Sequence, residues 1–232
     1  MILNSALVGS EIVAPIIPVL QDPGSIASSY WNRYYSEAPE IRQHTMPSDF
    51  CVYCVNTVLR RKRTRIADLG CGNGRDSIFL AHNGFRVTAI DLSTAALMLL
   101  NENARQTRVT VETHQGDFTR FRSPLPTHAY SRYSLHSIDD EAQRILFQNV
   151  RDMVFDKHIF AIEALTTDNI DADAFAHVAL WEGDHYRRYL HVPTLIEELK
   201  DAGFGIYSAV ASKDIAPMHK METAHVIRIF AS

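Results

Sequence analysis

The sequence predicts a doubly wound α/β fold, a mostly parallel sheet with helices on both faces. Three observations predict it. From Thr64 onward, short apolar runs rich in β-branched residues alternate with helical runs through short links. The first of these strands leads into a glycine-rich turn, Asp68-Leu-Gly70-Cys-Gly72-Asn-Gly74, which opens a helix. The second strand ends at Asp91, and the third ends near a further acid, Asp117.

Taken in order, the chain begins with an apolar arm, Met1–Leu20. Glu11, Pro15 and Pro18 interrupt it, and it has no basic start, so it reads as neither a signal peptide nor a membrane span. It is expected to pack on the domain or on a second copy of the chain, as in a homodimer. After a turn cluster at Gln21–Gly24, Ser25–Ser36 reads as a helix carrying Tyr30, Trp31, Tyr34 and Tyr35. Pro47–Arg61 reads as another helix, with Pro47 at its start and Ser48 and Asp49 in its first turn. Residues 1–61 are thus an N-terminal arm and helical cap, and residues 62–232 the main domain.

Within that domain, Thr64–Leu69 is a strand and Arg75–Asn83 a helix closed by Gly84. Phe85–Ile90 is the second strand, and Ser93 caps the helix Thr94–Arg105. Val109–Thr113 and Ala129–Leu135 are the third and fourth strands, Asp139–Val154 a helix and His158–Glu163 the fifth strand. Leu165–Arg188 reads as a long polar connection without regular structure, a substrate lid over roughly residues 165–190. Pro193–Ala202 is a helix. Phe204–Ala211 and His225–Ala231, with no helix between them, read as an antiparallel pair at one sheet edge.

Composition narrows the function. A chain of 232 residues with a net charge of -4 lacks the basic balance of a nucleic-acid-binding protein. The short basic run Arg60–Arg65 reads as a solvated helix end. Three cysteines, an odd and low count, point to a reducing compartment, with the cytoplasm as the default. Cys51-Val-Tyr-Cys54 has the spacing of a zinc half-site but no second pair of ligands, so it reads as buried helix cysteines and no metal is expected.

The glycine turn carries the chemistry. Glycines let the backbone bend sharply and leave no side chain between it and a ligand. The pattern is G-x-G-x-G, with Arg75 where a dinucleotide loop would place its helix-packing glycine. The acid at Asp91 falls where one reaches ribose hydroxyls. An acidic lead residue, Asp68, suits a ligand without phosphate.

On Asp68–Gly74, Val87–Ser93 and Gly116–Phe118 the sequence resembles the class I S-adenosylmethionine (SAM) dependent methyltransferases. The tail Leu195–Ser232 looks like that family too. The resemblance implies a Rossmann-like, seven-stranded sheet whose last strand inserts antiparallel. It implies that Gly70 and Gly72, in the loop that also holds Cys71 and Gly74, approach the methionine part of SAM. Asp91, beside Ser93, would hold the ribose and Leu92 would flank the adenine. Asp117, after Gly116, would accept from the adenine amino group, and Phe118 would pack on the ring. Gly74-Arg75-Asp76-Ser77 resembles small-molecule enzymes such as the thiopurine and tellurite methyltransferases. Tyr130–Ser137 and His185–Tyr189 look like a bacterial subgroup found beside sugar and secondary-metabolite pathways.

The expected reaction is methyl transfer to nitrogen or oxygen of a small metabolite. His136, following the fourth strand, is the candidate base, with a helix-capping role as the alternative. His177, His185, Arg187 and Arg188 are the substrate candidates in the lid, the two arginines being suited to a carboxylate or phosphate. Tyr30 and Tyr35 are expected near the sulfonium, since aromatic faces attract cations. Arg132 is a candidate for the cofactor carboxylate, with a structural ion pair as the alternative. The rivals are a nicotinamide oxidoreductase and a SAM-binding protein without methyl transfer.

Overall fold

The computed structural model describes residues 23–37, 45–59, 64–155, 157–167, 177–182, 185–213, 215 and 225–232. The arm Met1–Leu20, most of the basic run after Leu59, and residues 168–176 and 183–184 of the expected lid lie outside them.

A seven-stranded sheet forms the centre. Its strands are β1 (Arg65–Leu69), β2 (Arg86–Asp91), β3 (Glu112–Gln115), β4 (His128–Arg132), β5 (Phe160–Leu165), β8 (Ile206–Ser212) and β9 (Val226–Ala231). Their order is β3-β2-β1-β4-β5-β9-β8. β1 to β5 run parallel, and β9 is antiparallel to both β5 and β8. The final pair is therefore the expected hairpin, but β9 lies inside the sheet and only β8 is an edge.

While the edge strands β3 and β8 are largely exposed, the inner strands are covered on both faces and are apolar on both sides. β5 shows this: all six of its residues are buried. Phe160, Ile162 and Ala164 join one core cluster, and Ala161 joins the other. The first cluster packs under α5 (Asp140–Met153) and α6 (Val192–Asp201), through Leu146, Phe147, Leu195 and Leu199. The second packs under α2 (Asp49–Tyr53) and α3 (Arg75–His82), through Phe50, Cys51, Cys54 and Leu80. α1 (Pro23–Glu37) packs on α4 (Thr94–Thr107). Ser93 and Asp139 cap α4 and α5 by accepting from the backbone N–H groups of Ala96 and Ala142.

Three expectations need correction. The helix expected over Pro47–Arg61 begins at Asp49 and changes from α2 to a wider π-helical stretch at Cys54–Val58, and residues 60–61 lie outside the described ones. Strand β4 stops at Arg132, because Tyr133 adopts a left-handed backbone with φ 55°. Residues Leu135–Ser137 then form a 3-10 turn. Most important, the segment read as an irregular lid contains a β-hairpin, β6 (Val178–Glu182) paired antiparallel with β7 (His185–Tyr189). A single parallel bridge between Thr166 and Leu190 ties it to the end of β5.

Candidate active site

β1 lies between β2 and β4, so the chain order reverses there and opens a crevice beyond the carboxyl ends of these strands. A cavity of about 980 Å3 fills it, covered by α1 and the β6–β7 hairpin. The two covering elements meet through aromatic rings. His185 lies 4.4 Å from the Tyr30 ring and 5.2 Å from Trp31.

The glycine loop forms the floor. Gly70 and Gly72 have φ of 78° and 55°, a region that side chains disfavour. A methyl group on Gly70 would sit 2.6 Å from Cβ of Ser134, and one on Gly72 would sit 2.2 Å from Oη of Tyr35. The loop is pinned to β2: the N–H groups of Gly70 and Cys71 both donate to the carbonyl of Ile90. Asp91 fixes it further, accepting from the N–H of Gly72 at 2.8 Å and of Ser93 at 2.9 Å.

Asp68, at the end of β1, is buried and accepts from Ser77 Oγ at 2.6 Å. Burial pushes its pKa up to about 7, against the Ser77 hydrogen bond and with help from Asp76 and Asp91. Asp117 caps the turn at Phe118–Arg120 by accepting from the N–H and Oγ1 of Thr119. Leu92, Asp117, Phe118, Tyr30 and Tyr35 line the cavity together with Asp68, Asp91, Gly70, Cys71 and Gly72. Gly74, Ser93 and Gly116 lie outside its lining and hold the framework. Gly74 starts α3 with its Cα against Leu100, Ser93 caps α4, and Gly116 donates to the carbonyl of Asp91.

The other wall comes from the β4 tip and the hairpin. Arg132 lines it, but its guanidinium is committed to Glu163 at 2.8 Å, and the second oxygen of Glu163 takes Arg228 at 2.7 Å. His136 is only 6 % exposed, and its Nδ1 has no hydrogen-bond partner. Burial, and then the nearby Arg187, His185, Arg132 and Arg188, push its pKa down to about 3, so the ring is neutral at ordinary pH.

The structure separates the four substrate candidates. His185 and Arg187 line the cavity; His177 and Arg188 do not. Nδ1 of His177 accepts from the N–H of His191, so Nε2 carries the proton and donates to Glu198 at 3.0 Å. The buried Arg188 bonds Asp140 and the side-chain oxygen of Gln143, whose amide donates to Glu198. These two residues clip the hairpin to α5 and α6.

Several cavity residues carry no warning in the sequence. Tyr133, Ser134 and Ser137 enter it from the turn after β4. Beneath the floor, buried Asp76 accepts from the N–H and Oγ of Ser48 and from Oη of Tyr130, each at 2.7 Å. That knot joins the start of α2 to α3 and β4. Among the described residues, no group of three or more His, Cys, Asp or Glu side chains is arranged to hold a metal ion.

A family model described as a methyltransferase domain matches residues 66–156, the stretch from β1 to the end of α5. Residues 66–156 are thus similar to a methyltransferase domain. A curated protein of Geobacillus sp. (strain WCH70), itself only provisionally named a methyltransferase, is 40 % identical over 60 residues. That match covers 26 % of this chain and 24 % of the relative.

Solved structures extend the likeness of the methyltransferase fold over most of the chain. The 1,6-didemethyltoxoflavin-N1-methyltransferase of Burkholderia thailandensis superposes with a TM-score of 0.67 at 17 % identity. The match covers 94 % of this chain and 93 % of that one. The glycopeptide N-methyltransferase MtfA gives 0.63 at 17 % identity, over 84 % and 99 %. At such identity the likeness is one of fold. No helix among the described residues is long and apolar enough to cross a membrane.

Proposed function

We propose that the protein transfers the methyl group of SAM to a nitrogen or oxygen atom of a small metabolite. One observation carries this reading: a glycine turn and the carboxylates of Asp68, Asp91 and Asp117 line the same cavity as His136. The residues fit a sulfonium ligand. The floor at Gly70 and Gly72 admits no Cβ, and the acids Asp68, Asp91 and Asp117 and the rings of Tyr30 and Tyr35 line the same cavity, which suits a cation. The volume suits a cofactor and a small acceptor together. The similar folds include enzymes named as N-methyltransferases of a glycopeptide and of a toxoflavin precursor, which supports a small acceptor.

When bound, SAM supplies an electrophilic methyl group on a positively charged sulfur. The chain's own work is then positioning. The loop pinned by Ile90 and Asp91 holds the cofactor end, while the hairpin and α1 exclude water from above. The acceptor lies against the β4 tip, where the unpartnered Nδ1 of His136 takes its proton.

Two measurements test the reading. S-adenosylhomocysteine should raise the melting temperature, by the equivalent of about 2.7 kcal/mol at a hundredfold excess over Kd. NAD should not. Methyl-labelled SAM should then label a compound in a metabolite extract. Stabilisation by NAD alone overturns the reading, and firm SAM binding with no transfer reduces the protein to a SAM-binding partner.

A further inference from the structure

The turn Tyr133–Ser137 carries three buried polar atoms without a hydrogen-bond partner: Oη of Tyr133, Nδ1 of His136 and Oγ of Ser137. All three residues line the cavity. An unmet buried polar group is costly, so three on one turn mark a place where a polar ligand completes the set. The backbone agrees. Tyr133 holds a left-handed conformation that a tyrosine adopts only under constraint, and this turns its ring beside that of His136, 5.7 Å away.

Among the described residues, cations cluster at this turn. Arg187 and His185 face it from β7, and Arg132 lies over the Tyr133 ring at 4.2 Å. The carboxylates nearby are already engaged. Glu163 is shared by Arg132 and Arg228, Asp140 is bound by Arg188, and Asp139 caps α5. The remaining acids of the cavity, Asp68, Asp76, Asp91 and Asp117, belong to the glycine loop, the start of α3 and the ends of β2 and β3. Arg75, at the start of α3, lines the cavity among these acids.

We propose that the acceptor carries an anionic oxygen group, a carboxylate or a phosphate, that accepts from the hydroxyls of Tyr133 and Ser137 beneath Arg187 and leaves Nδ1 of His136 for the proton of the reacting atom. This rests on the methyltransferase reading above and names its substrate class. It also explains how His136 works. In the basic surroundings its imidazole is a feeble base, with a pKa of about 3. A bound anion offsets Arg187, His185, Arg132 and Arg188 and raises that value, so the base becomes effective only with the right acceptor in place.

The test uses the full chain saturated with S-adenosylhomocysteine and three probes: benzoate, phenyl phosphate and the neutral benzamide. Titration calorimetry should show one or both anions binding at least about tenfold more tightly than benzamide, the better of the two identifying the group. Arg187→Gln should weaken the anions by about tenfold and leave benzamide unchanged. Tyr133→Phe, which removes one hydroxyl and no packing, should weaken them severalfold and covers the case in which the arginine variant fails to fold. Histidine NMR should show the His136 pKa rising when the anion binds. Benzamide binding as well as both anions, or anions indifferent to both substitutions, overturns the proposal. S-adenosylhomocysteine binding without anion binding sinks this inference and leaves the methyltransferase reading standing; failure to bind S-adenosylhomocysteine sinks both.

Discussion

Asp68 is held by burial with a pKa near neutrality, beside a floor proposed to receive a cation. A cation favours the carboxylate form, so binding below pH 7 must expel the proton first. SAM affinity should therefore rise with pH between 6 and 8 and level off above, and Asp68→Asn should flatten the profile; calorimetry in two buffers of different ionisation enthalpy reads the proton released. Asp91 acts differently, since it positions the loop as well as facing the cavity. Asp91→Ala should weaken S-adenosylhomocysteine by about 1.5–3 kcal/mol, as lost hydrogen bonds to a charged group do. An unchanged Kd would contradict its role. His136→Asn should cut turnover while leaving S-adenosylhomocysteine affinity within about twofold, since no cofactor contact is assigned to it. The glycine loop and its acids were legible in the sequence because backbone geometry restricts which residues serve there. Tyr133 was not, because a left-handed tyrosine leaves no mark in the sequence.

At the scale of elements, the β6–β7 hairpin is the part the sequence reading missed. Its signals were weak but present: Gly183-Asp184 separates two runs bearing Trp181 and Tyr186, rings that meet edge to face at 5.3 Å. The polar character of His185–Tyr189 hid the strand, because its buried Arg188 is met by partners far away in sequence, Gln143 and Asp140. Reading a strand there would also have divided the arginine pair, since neighbours on a strand point to opposite faces. Arg187 faces the cavity and Arg188 is clipped to α5. The tips of β4, β5 and β9 are joined by Glu163, 1 % exposed between Arg132 and Arg228. Glu163→Gln leaves two guanidinium groups without a counter-charge and should destabilise the protein by roughly 2 kcal/mol or more in urea unfolding. A change within about half a kcal/mol would mean that solvent already screens the pair.

For the whole molecule, the alternation of strands and helices was enough to derive the parallel sheet, because two-sided burial writes near-continuous apolar runs such as Phe160–Leu165. The place of β9 is less visible. Its neighbours are set by pairing between distant segments, Phe160 with Ala231 and Leu165 with Val226. That placement bears on biosynthesis. Until residues 226–231 have left the ribosome, β8 has no strand to pair with and β5 presents an open edge to any passing chain. The nascent protein can form β1 to β5 early, but it must wait for one late strand to close the sheet.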